Sequence, residues 1–162
     1  MSAEIIVVPS LSALPPVAAM QASTLVYGIV KAIHLFGVAL LVGTLFAFDL
    51  RVFGVASHLE AKDLAKLLLP ISLLSLVLIF PSGVALFAAN HAELLTSSLF
   101  AAKMGLLLIN ATLAVVFLSG PMKGADSWYD GAPISARLIA GASLLSWGAV
   151  LVLAAVMPGG VF

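Results

Sequence analysis

Residues 24–48 read TLVYGIVKAIHLFGVALLVGTLFAF, an apolar run whose only basic interruptions are Lys31 and His34, and it is closed by Asp49-Leu50-Arg51. About 20 such residues, at about 1.5 Å each, match the roughly 30 Å hydrocarbon core of a bilayer. No water is available there to bond bare peptide groups, so a crossing segment that forms no closed barrel must be a helix. Outward from this first span, three more stretches reach the same length: residues 64–89, 98–118 and 134–157, each bounded by polar residues, Pro or Gly. The expected fold is all-α: a polytopic, four-transmembrane-helix bundle in one domain over residues 24–162.

Composition supports this. Of 162 residues 63% are hydrophobic and 9% charged, with a mean hydropathy of +1.25, against about 25% charged residues in soluble domains. Seven Lys and Arg balance seven Asp and Glu, so no basic field exists to recruit nucleic acid. The absence of cysteine excludes disulfides, thiolate metal sites and thiol nucleophiles.

Residues 1–23 contain Pro9, Pro15 and Pro16, which predicts an N-terminal interfacial segment: irregular chain, or a short helix from Val17, lying along the outer surface. Residues 1–22 contain Glu4 and neither Lys nor Arg, unlike the positive start of a cleavable signal peptide, so they read as mature sequence.

Orientation follows from the cations. Arg51, Lys62 and Lys66 cluster between spans one and two, and Lys123 and Arg137 between three and four. The positive-inside rule makes both regions cytoplasmic and places both termini outside, on the periplasmic face of a bacterial inner membrane. The longest loop, residues 119–133 (SGPMKGADSWYDGAP), has the composition of turns, with Trp128 and Tyr129 as expected interfacial anchors. In the second span Pro81, followed by Ser82-Gly83, predicts a mid-helix kink.

His34 is the sharpest chemical feature, an imidazole some ten residues inside the first span, where ionisable groups are costly and functional by default. One reading makes it an axial ligand to a haem or chlorophyll-type macrocycle, with Gly37 one turn further in giving a flat ring room. The other is a histidine bonded to a neighbouring helix. His91 stands about 10–15 Å above His34 and His58 lies in a loop, so neither matches its depth. Met104 is nearer in height and offers a thioether for haem or copper, or else packs between helices.

Lys31 and Lys103 lie in the outer parts of their spans. They either snorkel to the headgroups or form a cationic pair for an anionic group such as a haem propionate. Asn110, two turns beyond Lys103, is expected to bond another helix. Asp49, Arg51 and Arg137 are expected to pair at the cytoplasmic boundary and lock the first helix to its neighbours. The small residues of the fourth span, from Ala136 to Gly148, suit close helix packing within the chain or against another subunit. Every acidic residue falls at a span end or in a loop, which argues against an ion-coupled transporter. No hydrolase, nucleophile or phosphate-loop motif occurs, so no catalytic residue is assigned.

The run Ala32-Ile33-His34-Leu35-Phe36-Gly37, with Asp49-Leu50-Arg51, Ser82-Gly83, Phe100-Ala101-Ala102-Lys103, Asn110 and Ser146-Trp147, resembles a family of small bacterial four-helix membrane proteins. The likeness runs from about Leu11 to Trp147 and rests on its His-x-x-Gly and Asp-Leu-Arg elements. That family is distantly similar to copper-resistance membrane domains and to four-helix cytochromes of the b type. The resemblance implies a redox or metal context for His34, with haem b as the implied cofactor, although no second histidine stands at its depth. Three functions follow as expectations: an accessory subunit of a respiratory or photosynthetic membrane complex or a homo-oligomer; a haem b-type electron-transfer protein; and a copper or small-solute permease. The partners expected are the lipid bilayer and other membrane subunits, or copies of the same chain.

Overall fold

A computed structural model describes residues 14–157. Five α-helices follow one another: α1 (Pro15–Ala22), α2 (Thr24–Val52), α3 (Ala61–Leu94), α4 (Ser98–Ser119) and α5 (Ile134–Val156), with a 3₁₀ segment, Pro121–Asp130, between α4 and α5. No strand occurs among the described residues. Helices α2 to α5 are each long and apolar enough to cross a membrane, so the chain is an all-α, four-helix integral membrane bundle. The interfacial segment is seen only in part: α1 starts at Pro15, and the irregular chain expected before it lies outside the described residues.

The helix starts have local causes. Ser23 Oγ accepts from Val26 N at 3.4 Å ahead of α2, and Ser97 Oγ accepts from Phe100 N at 3.3 Å ahead of α4; each satisfies an orphan donor of the first turn. Helix α2 runs past the expected boundary at Phe48 to Val52, because Asp49 and Arg51 are buried in protein rather than presented to headgroups.

Helices α2 and α3 form an antiparallel pair joined by three polar rungs. Asn90 Nδ2 donates to the Tyr27 hydroxyl at 3.1 Å, His34 Nδ1 meets Ser82 Oγ at 3.1 Å, and Thr44 Oγ1 meets Ser72 Oγ at 2.8 Å. The pairings 27 with 90, 34 with 82 and 44 with 72 keep one register to within a residue over about 25 Å of helix. Between rungs, Gly37 lies against α3: a Cβ there would stand 2.8 Å from Ile79 Cγ1, 3.2 Å from Leu78 Cβ and 3.3 Å from the Ser75 carbonyl oxygen. Small residues and side-chain hydrogen bonds are the means by which helices associate where lipid removes the hydrophobic drive.

The expected kink at Pro81 is displaced. Helical backbone angles continue through Pro70 and Pro81, and the departure falls at Asn90, with φ −122° and ψ 17°. Asn90 Nδ2 also bonds the Leu86 carbonyl at 2.8 Å, so the side chain competes with its own backbone for the acceptor four residues back. Pro81 is tolerated beside a helix that supplies polar partners to the same stretch.

At the charged-loop end, Val52, Ala61, Phe117, Ala125, Trp128, Ala136 and Ala140 pack together. Trp128 is therefore not the surface anchor expected from its loop position. It is buried, its ring edge-on to Phe117 at 6.3 Å, and Phe117 is in turn edge-on to Phe48 at 5.6 Å. The 3₁₀ segment folds that indole under the bundle; the side chain of Tyr129 lies outside the described residues. At the opposite end, Leu94 and Met157 are buried among Phe87, Leu99 and Phe100, and Gln21 ties α1 to the Ala89 carbonyl at 2.7 Å.

Candidate functional site around His34

The groups that seat His34 come from α3, and Lys103 of α4 stands beside it. The ring is 7% exposed. Its Nδ1 lies 3.2 Å from the Ile79 carbonyl oxygen and 3.1 Å from Ser82 Oγ. A carbonyl only accepts, so Nδ1 carries the proton, and in the neutral ring Nε2 is the acceptor. Ser82 Oγ in turn donates to the Leu78 carbonyl, which leaves its lone pairs toward the imidazole. Gly83 completes the seat: a Cβ there would come within 3.0 Å of His34 Cε1 and 3.4 Å of Nδ1, so the ring presses directly on the α3 backbone.

Lys103, on α4, is 8% exposed and within electrostatic range of the His34 ring. It is turned into the bundle rather than snorkelling outward. The pairs 34 with 103 and 48 with 117 share one offset along α2 and α4, so these two helices run parallel and in register. Lys31 is half-buried one turn further out on α2. None of His34, Lys31 and Lys103 is without a partner.

Other expected members are not brought to the ring. Met104 is 44% exposed; it follows the inward-facing Lys103 by about 100° of helical rotation and so faces outward. His91 Nδ1 bonds the Ala88 carbonyl of its own helix at 3.0 Å, and His58 is exposed. The space beside Gly37, reserved above for a flat ring, is taken by Ile79, Leu78 and Ser75. Among the described residues no group of three His, Cys, Asp or Glu is placed to hold a metal ion. The residues supply one anchored imidazole with a cation beside it, on a helix whose Gly37 face is closed by α3.

Two structural expectations are corrected. Asn110 does not bond a neighbouring helix: its Nδ2 donates to Leu106 of its own helix at 3.0 Å, and its buried Oδ1 has no partner. Asp49, Arg51 and Arg137 do not form an ionic lock. Arg51 donates to the Leu59 carbonyl at 2.6 Å and to the Ser57 carbonyl at 3.2 Å, holding the α2–α3 loop. The Arg137 guanidinium lies over Gly131, whose φ of +112° only glycine adopts readily. Ion pairs join Lys62 to Asp126 and Lys66 to Asp63 instead. The first of these joins α3 to the 3₁₀ segment, so both charged loops lie together at one end.

Sequence reasoning missed Ile79, Ser82 and Gly83 as the seat of His34. Ser82-Gly83 after Pro81 was visible as an irregularity, but its partner on α2 depends on the antiparallel register, which no local pattern encodes. Comparison with protein-family models, curated proteins and solved structures gives no match at a significant level.

Proposed function

We propose that the protein is a small subunit of a larger membrane assembly, respiratory or photosynthetic, or of a homo-oligomer, and that His34 supplies it with one ligand to a shared cofactor. The charged loops face the cytoplasm of a bacterial inner membrane in this reading, as the positive-inside rule requires. The observation that carries it is the anchoring of His34: Nδ1 is committed to Ile79 and Ser82. Metal-ligating histidines are oriented in the same way, with the second nitrogen donating to a backbone or side-chain oxygen. The same two bonds also hold α2 against α3.

Haem b is the cofactor the resemblance implies; it would meet the imidazole away from the Gly37 face, which α3 fills, and Lys103, with Lys31 one turn further out, would be the cations for an acidic substituent. When bound it would supply one-electron chemistry. The chain's own contribution would be to hold the imidazole's orientation and to neutralise the substituent. A copper route through His34 and Met104 draws no support from the outward-facing Met104.

The test is a visible absorption spectrum, with native mass spectrometry, on the chain extracted from its own membranes in mild detergent. The expected result is a Soret band lost in His34→Ala, together with a co-purifying partner or a homo-oligomer. A colourless, monomeric preparation refutes the proposal.

A further inference from the structure

A second site lies at the other end of α2 and stands independently of the reading of His34. Asp49 is 7% exposed, and its Oδ2 has no hydrogen-bond partner. It lines a crevice of about 100 Å³ between α2 and α5, walled by Val42, Leu45, Phe46, Trp147 and Leu151, with Gly148 at the rim. Phe46, Gly148 and Leu151 are exposed on the bundle's outer face, so the crevice opens sideways to lipid. Asp49 supplies the one carboxyl among its lining residues. The sequence places Asp49 at a span boundary, but the structure puts it inside.

Among the described residues no ion pair reaches this carboxyl. On α2, Arg51 is spent on the loop carbonyls of Leu59 and Ser57. On α3, Lys62 is paired with Asp126 and Lys66 with Asp63. On α4, Lys103 is level with His34 at the far end. On α5, Arg137 lies over Gly131, and the group facing Asp49 is the Ser143 hydroxyl. An ionised carboxylate buried without a counter-charge costs several kcal/mol, whereas a protonated one carries its own donor and asks only for an acceptor.

We propose that Asp49 is a proton-binding site at the lipid face, a carboxyl that holds its proton in the crevice between α2 and α5. The proton comes from and returns to the aqueous phase at the charged-loop end, where α2 ends three residues further on at Val52. Such a site gives the chain a titratable group inside the membrane, which the sequence pattern of acidic residues alone argues against.

Dicyclohexylcarbodiimide tests this, because it dissolves in lipid and reacts with the protonated carboxyl. The carboxyl O–H adds across one C=N bond, oxygen to carbon and proton to nitrogen. The acyl group then shifts from that oxygen to nitrogen, leaving a stable acylurea and no leaving group. The full chain in phosphatidylcholine vesicles is treated across a pH series and its adducts are mapped by peptide mass spectrometry. The expected adduct is at Asp49, absent in Asp49→Asn, and falling about tenfold per pH unit once the group ionises. Asp63 and Asp126, both exposed, should react with a water-soluble carbodiimide instead. Gly148→Leu, where a Cβ meets nothing within 4 Å, fills the crevice mouth without disturbing the fold and should abolish the adduct at unchanged melting temperature. No adduct at Asp49, an adduct indifferent to pH, or undiminished labelling of a folded Gly148→Leu chain would each overturn the proposal.

Discussion

Adding one methyl group at Gly37 measures how closely α2 and α3 are packed. The new carbon would stand 2.8 Å from Ile79 Cγ1, 3.2 Å from Leu78 Cβ and 3.3 Å from the Ser75 carbonyl oxygen, whereas carbon pairs rest at about 3.5–4.0 Å. Ile79 is β-branched and stiff at χ1, and the Ser75 oxygen is backbone, so the strain falls on the helix pair itself. Relief by separating the helices lengthens the His34 bond to the Ile79 carbonyl, which lies one turn away. Overpacking of this kind costs about 1–3 kcal/mol. Replacing Gly by Ala within a helix also gains about 1 kcal/mol of propensity, which would mask part of that cost. Gly43, on the same helix with nothing within 4 Å of its added Cβ, provides the reference, since the propensity gain is common to both sites. Gly37→Ala should therefore be about 1–3 kcal/mol less stable than Gly43→Ala. Sodium dodecyl sulfate titration followed by far-ultraviolet circular dichroism reads the difference. Two variants that agree within a few tenths of a kcal/mol would show that the Gly37 face is not buried on α3.

The Thr44–Ser72 rung is an interhelical hydrogen bond in the membrane, so a double-mutant cycle with Thr44→Val and Ser72→Ala should return about 0.6 kcal/mol and no more than about 1.7. Trp128→Ala should cost about 3–5 kcal/mol, as truncation of a buried aromatic does, and in a Trp147→Phe background the Trp128 emission should be blue-shifted and shielded from iodide. The chain has no cysteine, so single cysteines report topology without interference. Ser57→Cys and Ser127→Cys, in the two charged loops, should label from one side of sealed vesicles and Thr96→Cys from the other. Ser82→Ala removes one partner of His34 Nδ1 but leaves the Ile79 carbonyl; any Soret band should shift or weaken rather than vanish, in contrast to His34→Ala.

The four spans were legible because each is a local matter: a run of apolar residues of bilayer length has one way to satisfy its peptide groups. Their ends were less so. Helix α2 gains its last turn from the burial of Asp49 and Arg51, and residues of that type near a span end look like a boundary when read alone. His34 and Lys103 were recognisable as unusual at their depth, and the structure brings them together. Met104 was not recoverable in the same way, because a one-residue step decides whether a side chain faces the bundle or the bilayer. When nearly every position is apolar, no polar face marks which side is which.

Hydropathy along the chain therefore determined the fold class and the number of crossings. Which groups meet was decided by tertiary structure alone. The register of α2 against α3 seats His34 on Ile79, Ser82 and Gly83, and the packing of α2 beside α5 turns Asp49 from a boundary residue into the buried wall of a crevice. The physical reason is that lipid imposes its demand one helix at a time through the cost of unpaired peptide groups, while helix-to-helix register is set by a few close contacts and hydrogen bonds between residues far apart in the chain.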